Sequence, residues 1–324
     1  GPAVNLLGHD RQIAAFRSAM ERGSLHHAWL LAGPKGVGKG SFARAAALRL
    51  LADAAGPRVT GAGLETPPDH RIAALFAARS HPDFRLLERE LNDKKELRRN
   101  ITIHQVRALG DLFAVAPALS EWRAVVIDAV DELEGPAANA LLKMLEEPPG
   151  KSLFLLVSHS PGRLLPTIRS RCRRLDFGPL DDSALDSILA AEQPQLGPEE
   201  RQRVIALAGG SAGRALAFAE FDLLPLAEEA LAILRRGDPD NSRRSRLASA
   251  LALKAAAPRY AAFLDLVPSL VAGEARQADG ERRQRAAAAY GKAQETAALA
   301  PRLSLDPAST VFALGTILAE VGQG

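Results

Sequence analysis

The sequence predicts an α/β domain with a parallel sheet, followed by an all-helical second half. Three observations predict it. Short apolar runs alternate with helix-patterned segments between positions 28 and 177. A glycine-rich turn joins the first run to the first helix, and after Phe177 the strand pattern stops.

Residues 28–32, AWLLA, form an unbroken apolar run, the mark of a strand buried on both faces. Residues 39–51 read as the helix that follows. The stretch 53–80 is rich in Ala, Gly and Pro and reads as partly irregular. Residues 84–87 give a second strand. Thr102 starts a helix, with Gln105 completing a capping box and Ile103, Val106, Leu109 and Phe113 on one face. Residues 124–127 read as a strand. Ala138, Leu141, Leu142 and Leu145 mark an amphipathic helix closed by Pro148-Pro149. Residues 153–157 and 175–177 complete the strands.

The second half reads as short helices at 183–190, 198–208 and 211–219, punctuated by Gln193-Pro194 and Gly209-Gly210. The charged run RRGDPD at 235–240 reads as a boundary. A last helix has Asp306 as cap, Pro307 in its first turn, and Val311, Leu314, Leu318 and Val321 along one face. Three parts follow: 1–178, 179–235 and 236–324. A chain ending at 235 is expected to be soluble. Gly1-Pro2 reads as a remnant of tag removal and is set aside.

Composition narrows the function. Hydrophobic residues make up 47% and charged residues 24% of 324, as in ordinary globular proteins. Cys172 is the single cysteine, which excludes an internal disulfide and a multi-cysteine zinc site. A net charge of +3 permits contact with nucleic acid, while 5% aromatic residues argue against a base-stacking platform. No apolar run has membrane-spanning length, and no secretory start is present, so a cytoplasmic location is expected. The histidines show no metal spacing, and His26, His27 and His104 read as structural. The clusters Lys94-Lys95, Arg98-Arg99, Arg243-Arg244 and Arg282-Arg283 read as solvated faces.

Gly33 to Lys39 satisfies G-x-x-x-x-G-K, the loop whose backbone N–H groups and lysine cradle phosphates. Gly36 and Gly38 allow its tight path, and Lys39 is the phosphate-reaching cation. The hydroxyl that should follow is missing: Gly40 stands there, and Ser41 points about 100° around the helix. The run VVID ends in Asp128, where loop proteins of this kind hold magnesium. Ala129 follows it, and Asp131 and Glu132 read as a solvated helix start.

With NALLKMLEEPP at 139–149 and Ile168-Arg169-Ser170-Arg171-Cys172, the chain resembles the bacterial DNA polymerase III clamp loader, a branch of the AAA+ ATPases. His27-Ala28-Trp29-Leu30 and His81-Pro82-Asp83 belong to the same resemblance. Motor subunits of that family carry a Thr after the loop lysine, an Asp-Glu pair on the third strand and four zinc-binding cysteines. This sequence has Gly40 and Ala129, and no cysteine in 53–80. It therefore resembles the non-motor, delta-prime branch.

The resemblance implies a RecA-like AAA+ domain, a helical lid and a helical collar that drives oligomerisation. It implies that Arg171, within the Ser170-Arg171-Cys172 motif, is an arginine finger offered in trans to ATP on a neighbouring motor. Cys172 itself reads as a small packed residue. Gly33, Gly36, Gly38, Lys39, Asp128 and Arg214 are left as a vestigial nucleotide site. Arg214 is either the second-sensor arginine of the lid or a residue that pairs with an acid or caps structure. No cofactor is required, ATP binding is weak or absent, and neither zinc nor another metal is expected. The implied partners are the gamma/tau motors and delta, with the sliding clamp and primer-template DNA met through the complex. The competing expectation is an active AAA+ ATPase, such as a divergent gamma/tau motor.

Overall fold

A computed structural model describes residues 6–323, so Gly1-Pro2 lies outside the described residues. The chain divides into two packed units, 1–178 and 179–324.

The first unit runs α1 (Asp10–Glu21), β1 (Ala28–Ala32), α2 (Lys39–Ala55), α3 (Arg71–Ala77), β2 (Phe84–Leu87), α4 (Ile103–Ala114), β3 (Trp122–Asp128), α5 (Gly135–Glu146), β4 (Lys151–Ser158), α6 (Pro166–Arg171) and β5 (Arg173–Asp176). The strands form one sheet in the order β2-β3-β4-β1-β5. All four pairings are parallel, with Leu30 of β1 set between Leu156 of β4 and Arg174 of β5.

Side chains alternate across a strand, so β1 feeds two cores. Trp29 and Leu31 pack with Phe16 of α1 and with Phe42, Ala43 and Ala46 of α2. Ala28, Leu30 and Ala32 pack with Val106 and Leu109 of α4 and Leu141 and Leu145 of α5. This two-sided burial is why β1 and β4 lack polar alternation. The edge strand β5 keeps Arg173, Arg174 and Asp176 exposed, charges that discourage pairing with another sheet edge. The capping box at α4 is present in both directions, Thr102 to Gln105 and back.

Helix α2 runs four residues beyond its expected end at 51, to Ala55. Arg49, 1% exposed, explains the extension and orders the loop behind it. Its Nε donates to Asp53 Oδ2 at 3.2 Å. Nη1 donates to the carbonyls of Gly63 (2.9 Å) and Glu65 (3.3 Å), and Nη2 to those of Val59 (3.0 Å) and Gly61 (2.9 Å). All five guanidinium donors are thus used. The stretch expected to be irregular is a loop held chiefly by Arg49, with Arg17, His70 and Arg71 donating to further carbonyls, followed by α3.

The second unit contains α7 (Asp182–Glu192), α8 (Pro198–Ala208), α9 (Ala212–Glu220), α10 (Leu224–Arg236), α11 (Ser242–Leu251), α12 (Ala257–Gln277), α13 (Gly280–Arg302) and α14 (Pro307–Gly322). One apolar core runs through it from Leu180 to Val321. The expected boundary near 235–236 falls inside this unit, at the Gly237 turn from α10 to α11.

That turn is locked. Asp238, 2% exposed, accepts from the Arg244 side chain at 3.0 Å and from the backbone N–H groups of Arg243 and Arg244, both at 3.1 Å. Burial alone would push the Asp238 carboxyl up, but these donors outweigh it and hold it below the usual carboxylate range. Arg244 also reaches Thr316 of α14 at 3.0 Å. Arg243-Arg244 is therefore no solvated face: Arg244 is a buried junction residue, and Arg243 pairs with Glu229 at 3.2 Å.

Candidate functional site

Two contacts fix the turn between β1 and α2. Gly33 has φ +153, and a Cβ there would overlap the Phe177 carbonyl oxygen, so glycine is required. His9, 2% exposed at the start of α1, donates from Nε2 to the Val37 carbonyl at 2.6 Å. Burial lowers the His9 pKa, which keeps the ring neutral. Gly38 is left-handed at φ +108 and opens α2, where no side chain caps the helix among the described residues. The first N–H groups of α2 are thus left to meet an anion.

Lys39 is 2% exposed, and its Nζ donates to the Gly33 carbonyl and, at 2.9 Å, to that of Pro34. Burial lowers its pKa to about 8 against the opposing pull of Asp131 and Asp128. Lys39 is thus turned onto the carbonyls of its own loop. The magnesium side of a nucleotide site does not fit. Gly40 supplies no hydroxyl, and a Cβ at that position would lie 2.5 Å from Asp128 Oδ2. Arg44 Nη2 stands 3.6 Å from the same carboxylate oxygen. Sequence reading missed Arg44 because the pair links α2 to the end of β3, far apart in the chain.

Asp131 and Glu132 are not a solvated helix start. Asp131 accepts from Ser158 Oγ and from the His159 N–H, each at 2.6 Å, fastening the end of β4. Glu132 pairs with Arg89 at 3.2 Å, and burial raises its pKa above the usual carboxylate range. Arg214, at the start of α9, places Nε 3.3 Å from Asp265 Oδ2 within the second unit.

The motif residues around Arg171 act as staples. His26 Nε2 donates to the Arg171 carbonyl at 2.9 Å, His27 Nε2 to the Leu145 carbonyl at 2.8 Å, and Trp29 Nε1 to the His26 carbonyl at 2.9 Å. The ends of α5 and α6 are thereby tied to the start of β1. Ser170 Oγ turns back to the Thr167 carbonyl at 3.0 Å. Cys172 packs with the second core, and burial pushes its thiol up to about 12, so it is no nucleophile at neutral pH. The Arg171 side chain is 51% exposed, with Nη2 3.8 Å from Glu146 Oε1 of α5. Asp83, 3% exposed, accepts from the N–H groups of Ala118 and Leu119 at 2.9–3.0 Å, which accounts for the His81-Pro82-Asp83 element.

A parallel sheet with this loop at the end of β1, joined to a helical unit, defines a P-loop protein of the AAA+ type with a degenerate metal side. The family described as DNA polymerase III, delta subunit matches residues 8–181, more than half of the chain. The chain belongs to that family. Its sequence is 39% identical over 186 residues to DNA polymerase III subunit delta' of Pseudomonas aeruginosa, covering 57% of this chain and 53% of that one. It is 32% identical over 180 residues to the delta' subunit of Bacillus subtilis, covering 55% and 50%. It is 31% identical over 196 residues to subunit gamma/tau of Mycobacterium bovis, covering 58% and 30%. The matched part thus spans about half the length of the delta' relatives.

Among the described residues, no group of His, Cys, Asp and Glu is arranged to hold a metal, and no helix is long and apolar enough to cross a membrane.

Proposed function

We propose that this chain is the non-motor, stator subunit of a DNA polymerase III clamp loader, a delta-prime subunit that offers Arg171 to ATP held by a neighbouring gamma/tau motor. It works in the cytoplasm with gamma/tau and delta, and meets the sliding clamp and primer-template DNA through the complex. It hydrolyses no ATP itself and serves the DNA-directed DNA polymerase as part of its assembly. In this reading residues 1–178 are the AAA+ domain, 179–235 the lid and 236–324 the collar.

One contrast carries the reading. The groups for hydrolysis in cis are missing at Gly40 and Ala129, while the element for acting in trans is whole: Arg171 is exposed and its backbone is pinned by His26. A planar, permanently charged guanidinium suits a transferring phosphoryl group. Steady ATP turnover by the isolated chain tests it, with none expected. Turnover that vanishes in Lys39→Ala would mean an active ATPase and sink the stator reading.

A further inference from the structure

We infer that the Arg44 guanidinium replaces the divalent cation at the Gly33–Lys39 loop, making this a metal-independent site for the polyphosphate of a nucleotide. This property is independent of the stator role.

Position 40 decides it. A serine or threonine there would drive its Cβ to 2.5 Å from Asp128 Oδ2, and the carboxylate would have to withdraw. With glycine, Asp128 leans onto the first turn of α2. Arg44, one turn further along, sets Nη2 3.6 Å from that oxygen and Nη1 3.5 Å from where the Cβ would be. The space beside Gly40 is bounded by a carboxylate on one side and a guanidinium on the other.

A magnesium ion needs oxygen ligands at about 2.0–2.1 Å in near-octahedral array. Here the hydroxyl ligand is gone, and the acid that should face the ion already faces a fixed positive charge. Arg44 repels a second cation. It is itself suited to phosphate: always charged, with five donors in a planar fork, of which its carboxylate contacts occupy only part. Its second partner, Glu88, is 3.9 Å away, and its side chain is 40% exposed, so it is able to turn toward an incoming anion. The N-terminus of α2, which no side chain caps among the described residues, supplies the rest of the cradle together with Lys39 once its Nζ leaves the Gly33 and Pro34 carbonyls.

Titration calorimetry of ATP into the full chain, in EDTA and in excess magnesium, tests the substitution. The dissociation constant in EDTA should equal or fall below that in magnesium. Lys39→Ala should remove binding, which locates it at this loop. Arg44→Ala should weaken binding in EDTA by roughly tenfold, the effect of losing a charge-assisted hydrogen bond to phosphate. Arg44→Lys, which keeps the charge, should remain indifferent to metal. Three results would overturn the inference: binding that requires magnesium, no binding in EDTA at millimolar ATP, or EDTA binding untouched by Arg44→Ala. Pull-down of the same wild-type chain with a gamma/tau motor reads the stator role separately.

Discussion

Arg171 and Lys39 show at the residue scale how similar charges serve opposite ends. Arg171 is exposed and lightly held, its only carboxylate contact among the described residues a 3.8 Å approach to Glu146. Exposed pairs of this kind contribute about 0–1 kcal/mol, so Arg171→Ala should leave melting and complex assembly unchanged. Fingers supplied in trans are worth roughly 10³–10⁵ in rate at the site they serve. Under the proposed trans role, a reconstituted loader carrying Arg171→Ala should lose part of its DNA- and clamp-stimulated ATPase. Arg171→Lys should rescue poorly, since an ammonium lacks the planar fork. Unchanged ATPase and clamp loading would reduce Arg171 to surface charge.

Lys39, by contrast, is buried, with a native pKa near 8 against 10.5 for the free side chain. Between those values the unfolded chain binds a proton that the folded chain lacks, so stability rises with pH across that window. Below about 8 both states are protonated and the penalty is constant, at most roughly 3 kcal/mol. Urea titrations at pH 7.5 and 10 should show this rise for the wild type, and a flatter difference for Lys39→Met. Equal pH responses in the two proteins would remove the burial penalty assigned to Lys39.

Among the elements, what the sequence reveals depends on how local the cause is. The strands β1 and β4, the capping box of α4 and the Asp306 cap of α14 follow from neighbours within one turn or one pleat, and each was readable from the chain. The degenerate loop was readable as a loss, because Gly40 breaks a fixed spacing. Its replacement was not, because Arg44 meets Asp128 only once α2 lies on the sheet. Helix α1 went unread although Ile13, Phe16 and Met20 stand at helical spacing and pack on the first core.

Arg49 is the sharper case. It sits where a helix surface would be expected to end in solvent, yet it organises residues 59–65. Its guanidinium uses all five donors, with Asp53 also accepting from the Val59 N–H at 2.8 Å and Arg17 donating to the Gly61 carbonyl at 3.3 Å. Arg49→Ala removes one donor from that carboxylate and from four carbonyls, of which Asp53 keeps the Val59 N–H and Gly61 keeps Arg17, and a broken buried pair costs about 3–5 kcal/mol. Arg49→Lys brings three donors on a point charge and should recover less than half of the loss. Guanidinium titration measures both variants, and limited proteolysis should show new cuts within 56–65. A wild-type midpoint for Arg49→Ala would show that the loop holds itself.

For the whole molecule the question is where the chain can be divided. Cutting after 178 leaves a sheet covered on both faces by its own helices, with both apolar cores complete. Cutting after 235, the place the charged run RRGDPD marks, leaves α10 without its partners. Ala227, Ala230, Ile233 and Leu234 are each fully buried, in a core that α11, α12 and α14 share. The same cut removes Asp238 and Arg244, the buried pair that ties the turn to α14. Each stripped large apolar side chain forfeits about 1.5–3 kcal/mol of burial, and total stabilities are only 5–15 kcal/mol. The 1–178 fragment should therefore be monomeric by light scattering and unfold in one cooperative transition. The 1–235 fragment should aggregate, or unfold in two steps, with its helices 179–235 melting well below the intact chain. A soluble 1–235 fragment with native helical content and a single transition at the full-length midpoint would show that the lid folds without the collar. The shared core would then be an accident of packing rather than a requirement.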